Sequence, residues 1–169
     1  IETAVELTDG KIAGSEVQQI IDLGKAMLSN PIEILPGADR ALETLSHDHQ
    51  LMLITKGDLF DQESKLARSG LGHYFTHVEV VSEKNIDTYR EILQRHRILA
   101  DEFLMVGNSL KSDILPVVAL GGCAVHIPYR VTWQHEQVHG VTPETHGYHR
   151  LDSLTDLKDW MFRHKLSPA

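Results

Sequence analysis

The chain has 169 residues, 41% of them hydrophobic, with 16 Lys and Arg against 24 Asp and Glu and a net charge of −8. The hydrophobic share supplies a core and excludes global disorder, and the length suits one domain or one domain with a small accessory. The acidic balance excludes nucleic acid and anionic membrane as expected partners, no apolar run reaches bilayer-spanning length, and the single Cys123 excludes an internal disulfide and fits a reducing, cytoplasmic compartment.

The sequence opens at Ile1, without an initiator methionine and already inside an amphipathic pattern, IETAVELTDG. It reads as part of a longer protein. Val17, Ile20, Ile21 and Leu28 recur at helical spacing. That spacing predicts a helix over 15–28, with Ser15 as N-cap and Asn30 and Pro31 as its stop. IEILPG reads as a linker, and PGADRALETLSHDH as a helix opened by Pro and Gly.

From there strands and helices alternate. QLMLITKGD is a strand ending in a polar turn, and DQESKLARSG a polar helix closed by Gly70. HVEVVSEK is a second strand, IDTYREILQRH a helix, FLMVGNS a third strand, DILPVVALGG a helix and CAVHIP a fourth strand. A last helix falls near 154–163. The segment before it, YRVTWQHEQVHGVTPETHGYH, is irregular and rich in histidine. Alternation of this kind predicts an α/β fold: a parallel sheet between two layers of helices. The near-continuous apolar runs are what a sheet covered on both faces requires.

Ligands of an open parallel sheet bind at the carboxyl ends of its strands. Three consecutive strands end there in useful chemistry: Thr55 on the first, Lys84 on the second, and Asn108, Ser109 and Asp113 on the third. A hydroxyl, an ammonium and an amide–carboxylate pair on one rim match a phosphoryl group and the oxygen ligands of Mg²⁺. Each also has a plainer reading. Thr55 is a β-branched strand end and Lys84 a solvated loop lysine. Asn108 is a turn residue, and Asp113 an N-cap ahead of Pro116. The coincidence of all three at one strand position favours the chemical reading.

Thr55 in LITKGD, Lys84 in VVSEKNIDTY and Asp113 in VGNSLKSD make the chain resemble the haloacid dehalogenase superfamily, from about Leu35 to Pro128. The resemblance implies a Rossmann-like three-layer core over 31–169, with 1–30 as the C-terminal part of a helical cap. It implies that Thr55 hydrogen-bonds the transferring phosphoryl oxygens, with backbone N–H groups of Lys56 and Gly57 as substrate-binding partners. Lys84 would neutralise charge on nucleophile and substrate, and Asn108 and Asp113 would hold Mg²⁺. Two departures stand out. No DxDxT-like motif supplies the family's aspartate nucleophile, and Asn108 stands where the family's phosphatases usually place an aspartate. The strand carrying that nucleophile would lie between the strands ending at Thr55 and Asn108, so its absence would leave two central edges unpaired.

The implied activity is Mg²⁺-dependent hydrolysis of a small phosphorylated metabolite through an aspartyl-phosphate, with the aspartate outside this segment. A metal-independent dehalogenase and a non-catalytic phosphate-binding protein are the alternatives. A signalling receiver domain shares the residue types, but there the acids come first and the lysine last. His135 and His139, one helical turn apart, with His126, His146 and His149, offer zinc spacing without a completing acid or cysteine. Arg130, Trp133 and His135 follow the fourth strand on the expected rim and are candidate substrate contacts.

Overall fold

The computed structural model describes residues 1–130, 136 and 138–164. The chain divides into two compact units, Ile1–Glu33 and Ile34–Ala169. Among the described residues, no helix is long and apolar enough to cross a membrane.

The first unit holds α1 (Glu2–Leu7) and α2 (Gly14–Leu28). The expected cap at Ser15 is corrected: the N-cap is Ala13, two residues earlier, and α2 starts at Gly14. The Glu16 carboxylate accepts the Ala13 N–H at 3.1 Å, so an acid in the first turn supplies the acceptor that Ser15 was expected to bring. Val17 and Ile21 are half-buried on α2, while Ile20 and Leu28 are exposed.

The second unit runs in the order α3 (Ala38–Ser46), β1 (Met52–Lys56), α4 (Leu59–Ser69), β2 (His77–Val81), α5 (Ile86–His96) and β3 (Leu104–Gly107). After them come a π turn over Leu110–Ile114, α6 (Leu115–Ala119), β4 (Cys123–His126), α7 (Pro143–His146), β5 (His149–Arg150) and α8 (Leu157–Arg163). Helix stops follow local chemistry. Gly70 closes α4 in the left-handed conformation, at φ 71°, where a side chain would be strained. Asp58 caps α4 through Asp61 N–H, and Asn85 caps α5 through Thr88 N–H, both at 3.0 Å.

The strands pair in parallel, as the alternation requires. They form two sheets, β1–β2 and β3–β4–β5. Thr55 lies opposite Val80, Val106 opposite Val125, and His126 opposite Arg150. Among the described residues, no ladder joins β1 to β3. Strand periodicity divides the side chains of β3 and β4 between two cores. Met105 and Ala124 pack with Ile54, Tyr89, Ile92, Ile114 and Val117 on the α5–α6 side. Leu104, Val106, Cys123 and Val125 pack with Leu157, Trp160, Met161 and Leu45 on the α3–α8 side. Helices therefore cover both faces, which is the Rossmann-like arrangement.

Three features depart from the sequence reading. The short α7 falls inside the segment expected to be irregular, and β5 begins at its last residue. The third strand does not lead straight into an α-helix but into a π turn, closed by Ile114 N–H on the Ser109 carbonyl at 3.2 Å. Within it the cap is Ser109, whose hydroxyl oxygen accepts Ser112 N–H at 3.0 Å, and not Asp113. Trp133 and His135 lie outside the described residues.

His149 on β5 meets Trp160 at a tilted angle and His164 edge-on, at ring separations of 4.8 and 5.1 Å. Burial, and then the neighbouring His164, push its pKa below the usual imidazole value. The unfolded chain therefore takes up this proton more readily than the folded one, so stability falls as pH drops through about 6.5. We expect His149→Phe to flatten the decline of the thermal midpoint between pH 7 and pH 5, while the residual slope reports His126, shifted the same way by burial.

Candidate functional site

The carboxyl ends of β1, β2 and β3 carry a connected set of polar side chains. Its centre is the Lys84–Asp113 pair. Lys84 Nζ donates to Asp113 Oδ1 at 2.8 Å, and the two side chains are 12% and 7% exposed. The second Asp113 oxygen accepts Ser109 N–H at 3.0 Å. The backbone makes room for this carboxylate: a Cβ on Gly107 would lie 2.4–2.5 Å from Asp113 side-chain atoms. Glycine is needed here for close approach rather than for a left-handed backbone. Tyr89, fully buried, donates its hydroxyl to the Ser112 carbonyl at 3.0 Å and so pins the turn from below. Its pKa is pushed up by burial and by the Asp113 charge.

Thr55 is half-buried at the end of β1, and its hydroxyl donates to Gln62 Oε1 of α4 at 2.7 Å. Gly57 N–H donates to the Val81 carbonyl at 3.1 Å, extending the β1–β2 ladder. Gly57 has φ 145°, a conformation open to glycine. Asn108 is exposed, and its backbone carbonyl accepts His126 Nε2–H at 3.0 Å. Burial holds the His126 pKa below the usual value, against the opposing pull of that carbonyl.

A second group, invisible in the sequence, adjoins the first. The Glu136 carboxylate accepts Lys56 Nζ at 3.0 Å and also takes both the Ser109 and Ser112 hydroxyls. Burial opposes its ionisation, but the bonds from Ser109, Ser112 and Lys56 outweigh that and hold its pKa at about 2. Lys56 is shifted upward, chiefly by the same Glu136 bond. Lys56 also stands 3.7 Å from the exposed Glu83, a screened contact of little energy. Asn108, His126, Glu136 and His139 line a cavity of about 270 Å³. No periodic pattern could have found Glu136, which lies 80 residues from Lys56.

The oxygen set suits a hard cation in part. Asn108 and Asp113 offer amide and carboxylate oxygens, and each Asp113 oxygen keeps a lone pair beyond its present partner. Among the described residues, no three His, Cys, Asp or Glu side chains gather as a metal-binding group. Two protein oxygens with water or other ligands fit Mg²⁺, which keeps several waters. The clustered histidines do not form a zinc site among those residues.

Among the similarities to known proteins, three bear on this site. A crystal structure of a haloacid dehalogenase-like family hydrolase from Xanthomonas campestris matches with a TM-score of 0.84 and 37% identity, covering 98% of this chain and 69% of that one. The glyceraldehyde 3-phosphate phosphatase of Methanothermobacter thermautotrophicus is 30% identical over 131 residues, which is 72% of this chain. The chain spans 58% of the length of that relative. A magnesium-bound hydrolase from Bacillus subtilis shares the fold at a TM-score of 0.65 and 20% identity, covering 76% of this chain and 56% of its own. No protein-family profile matches the chain.

Removing the partner of a buried charge costs about 3–5 kcal/mol, whereas replacing both partners by apolar groups is often nearly neutral. Urea unfolding should therefore show Lys84→Met destabilised by about that amount, with Lys84→Met/Asp113→Leu recovering most of the loss. Gly107→Ala should be destabilising as well, because Asp113 must shift off Lys84 to admit the methyl group.

Proposed function

This chain belongs to the haloacid dehalogenase-like family of hydrolases, and from that premise we propose that the protein carrying it is a Mg²⁺-dependent phosphatase of a small phosphorylated metabolite. The observation that carries the reading is the buried Lys84–Asp113 pair, which joins the ends of β2 and β3, while Thr55 lies near the end of β1, the parallel neighbour of β2. Similarity to a phosphatase of glyceraldehyde 3-phosphate supports phosphate esters as the substrate class. A cytoplasmic setting fits the lone thiol of Cys123.

Each residue then has a task. Lys84 has three N–H donors, of which one holds Asp113; the others serve phosphoryl oxygens and the charge of a nucleophile. The Thr55 hydroxyl, which donates to Gln62 here, would exchange that acceptor for a phosphoryl oxygen. Gly57 N–H is engaged by Val81 and Lys56 Nζ by Glu136, so a substrate anion would have to draw on the backbone N–H or the remaining ammonium protons of Lys56. Asn108 and Asp113 would hold Mg²⁺, which supplies positive charge against the phosphoryl oxygens when bound. The attacking carboxylate is assigned to an aspartate outside this sequence, on a strand between β1 and β3, with 31–169 as the core domain and 1–30 as cap. The lack of a ladder joining those two strands among the described residues supports that placement.

A metal-free dehalogenase is the second reading, favoured by one feature, the neutral Asn108 in place of a carboxylate. Two measurements on the full-length protein separate them. Hydrolysis of an aryl phosphate should require Mg²⁺, and 2-haloacids should not be turned over. Thr55→Ala should lower the rate by about 10²–10³, the usual effect of one lost oxyanion donor, and Lys84→Ala by more, since a full charge is removed. Calorimetric titration should show Asn108→Asp binding Mg²⁺ about tenfold more tightly, or about 1.4 kcal/mol, and Asp113→Asn more weakly. Unchanged affinity in both variants would return the loop to a purely capping role.

A further inference from the structure

The Glu136 carboxylate sits in a seat that other parts of the chain have built. Lys56 Nζ reaches one oxygen at 3.0 Å, and the Ser109 and Ser112 hydroxyls both donate to the other. The two serines are each 7% exposed and fixed independently of Glu136. Ser112 N–H occupies a lone pair of Ser109 Oγ at 3.0 Å, which leaves that hydroxyl proton free to point at an acceptor. Ser109 N–H is held by Asp113, and the Ser112 carbonyl by Tyr89. The serine wall therefore belongs to the core and Lys56 closes the seat from the exposed side, while the occupant lies 24 residues beyond Ser112.

We propose that Lys56, Ser109 and Ser112 form a binding seat for the carboxylate of a small-molecule ligand, which Glu136 fills in this structure as an internal competitor. The charge balance selects a carboxylate. The charge of Lys84 is balanced by Asp113 at 2.8 Å, and Lys56 is the ammonium that bonds the occupant of the seat. One ammonium and two neutral hydroxyls match one negative charge. A phosphate dianion would place surplus negative charge near Asp113 and near Glu83, which already lies 3.7 Å from Lys56. The low pKa of Glu136 is the same preference seen from inside: the donors stabilise an ionised carboxylate against the cost of burial. Binding at the seat is read without turnover, so it stands or falls separately from the phosphatase reading.

The test is a titration of the full-length, ¹⁵N-labelled protein with acetate, and in a parallel arm with inorganic phosphate, following the Ser109 and Ser112 amide resonances. An internal competitor weakens apparent affinity by the fraction of time the seat is vacant. A seat vacant about one tenth of the time gives a tenfold tightening of acetate in Glu136→Ala. Glu136→Gln, which keeps the shape and removes the charge, should tighten acetate by a smaller factor and serves if the alanine variant does not fold. Adding Ser109→Ala and Ser112→Ala to either variant should abolish the gain. Equal acetate affinity in parent and Glu136 variants, or a gain that survives loss of both hydroxyls, would overturn the seat. A larger gain for phosphate than for acetate would overturn the carboxylate assignment.

Discussion

A lysine and an aspartate taken out of water together set the terms for the surrounding structure. Lys84 and Asp113 lie on the loops that follow β2 and β3, strands of two different sheets, and meet at 2.8 Å. Such a pair is tolerable in a poorly hydrated setting only when the remaining oxygen is also satisfied, and Ser109 N–H satisfies it. The consequences spread outward from that requirement. Gly107 has no side chain because the carboxylate fills that space, and Tyr89 spends its hydroxyl on the carbonyl just before Asp113. The pair thus links the two sheets through side chains at the rim, while Ile54, Met105 and Ala124 link them through a shared apolar core.

The sheet explains why these groups share a rim. Parallel strands place all their carboxyl ends on one side, and each crossover helix returns the chain to the other side. Val, Ile, Met and Leu fill both faces of β3 and β4, which leaves the strand ends as the places where polar groups are affordable. The chemistry is therefore held by rigid elements on the strand side and by a hydrogen-bonded turn on the other.

How much could be read from residues alone depends on the range of the forces involved. Strands β1 to β4 were legible because each is an apolar run bounded by Gly, Asp or Ser, and runs of that kind have few alternatives. β5 was not, because His149 and Arg150 carry no strand signal. They extend because Val125 and His126 offer a ladder and Trp160 an aromatic contact for His149. The N-cap of α2 was misplaced by two residues, because Glu16 capped from inside the helix while Ser15 was the more conventional signal. Lys84 and Asp113 could be nominated from residue type and position. Their contact could not, since 29 residues separate them and only the fold brings them together. Glu136 was beyond reach altogether, lying in a stretch without periodicity and meeting groups from two distant loops.

The π turn after β3 carries a cost in spacing. Ile114 N–H bonds back five residues to Ser109, one residue more than in an α-helix. That extra residue lets Ser109 begin the turn and Asp113 end beneath Gly107, while Leu115 enters α6 in step with the core. Deleting Leu110 or Lys111 would let the backbone relax into an ordinary α-turn. It would also rotate everything upstream by about 100° relative to α6, carrying the aspartate away from the lysine. The loop is consequently bound by its length as strictly as by its composition. Homologous loops should exchange side chains far more readily than they gain or lose a residue.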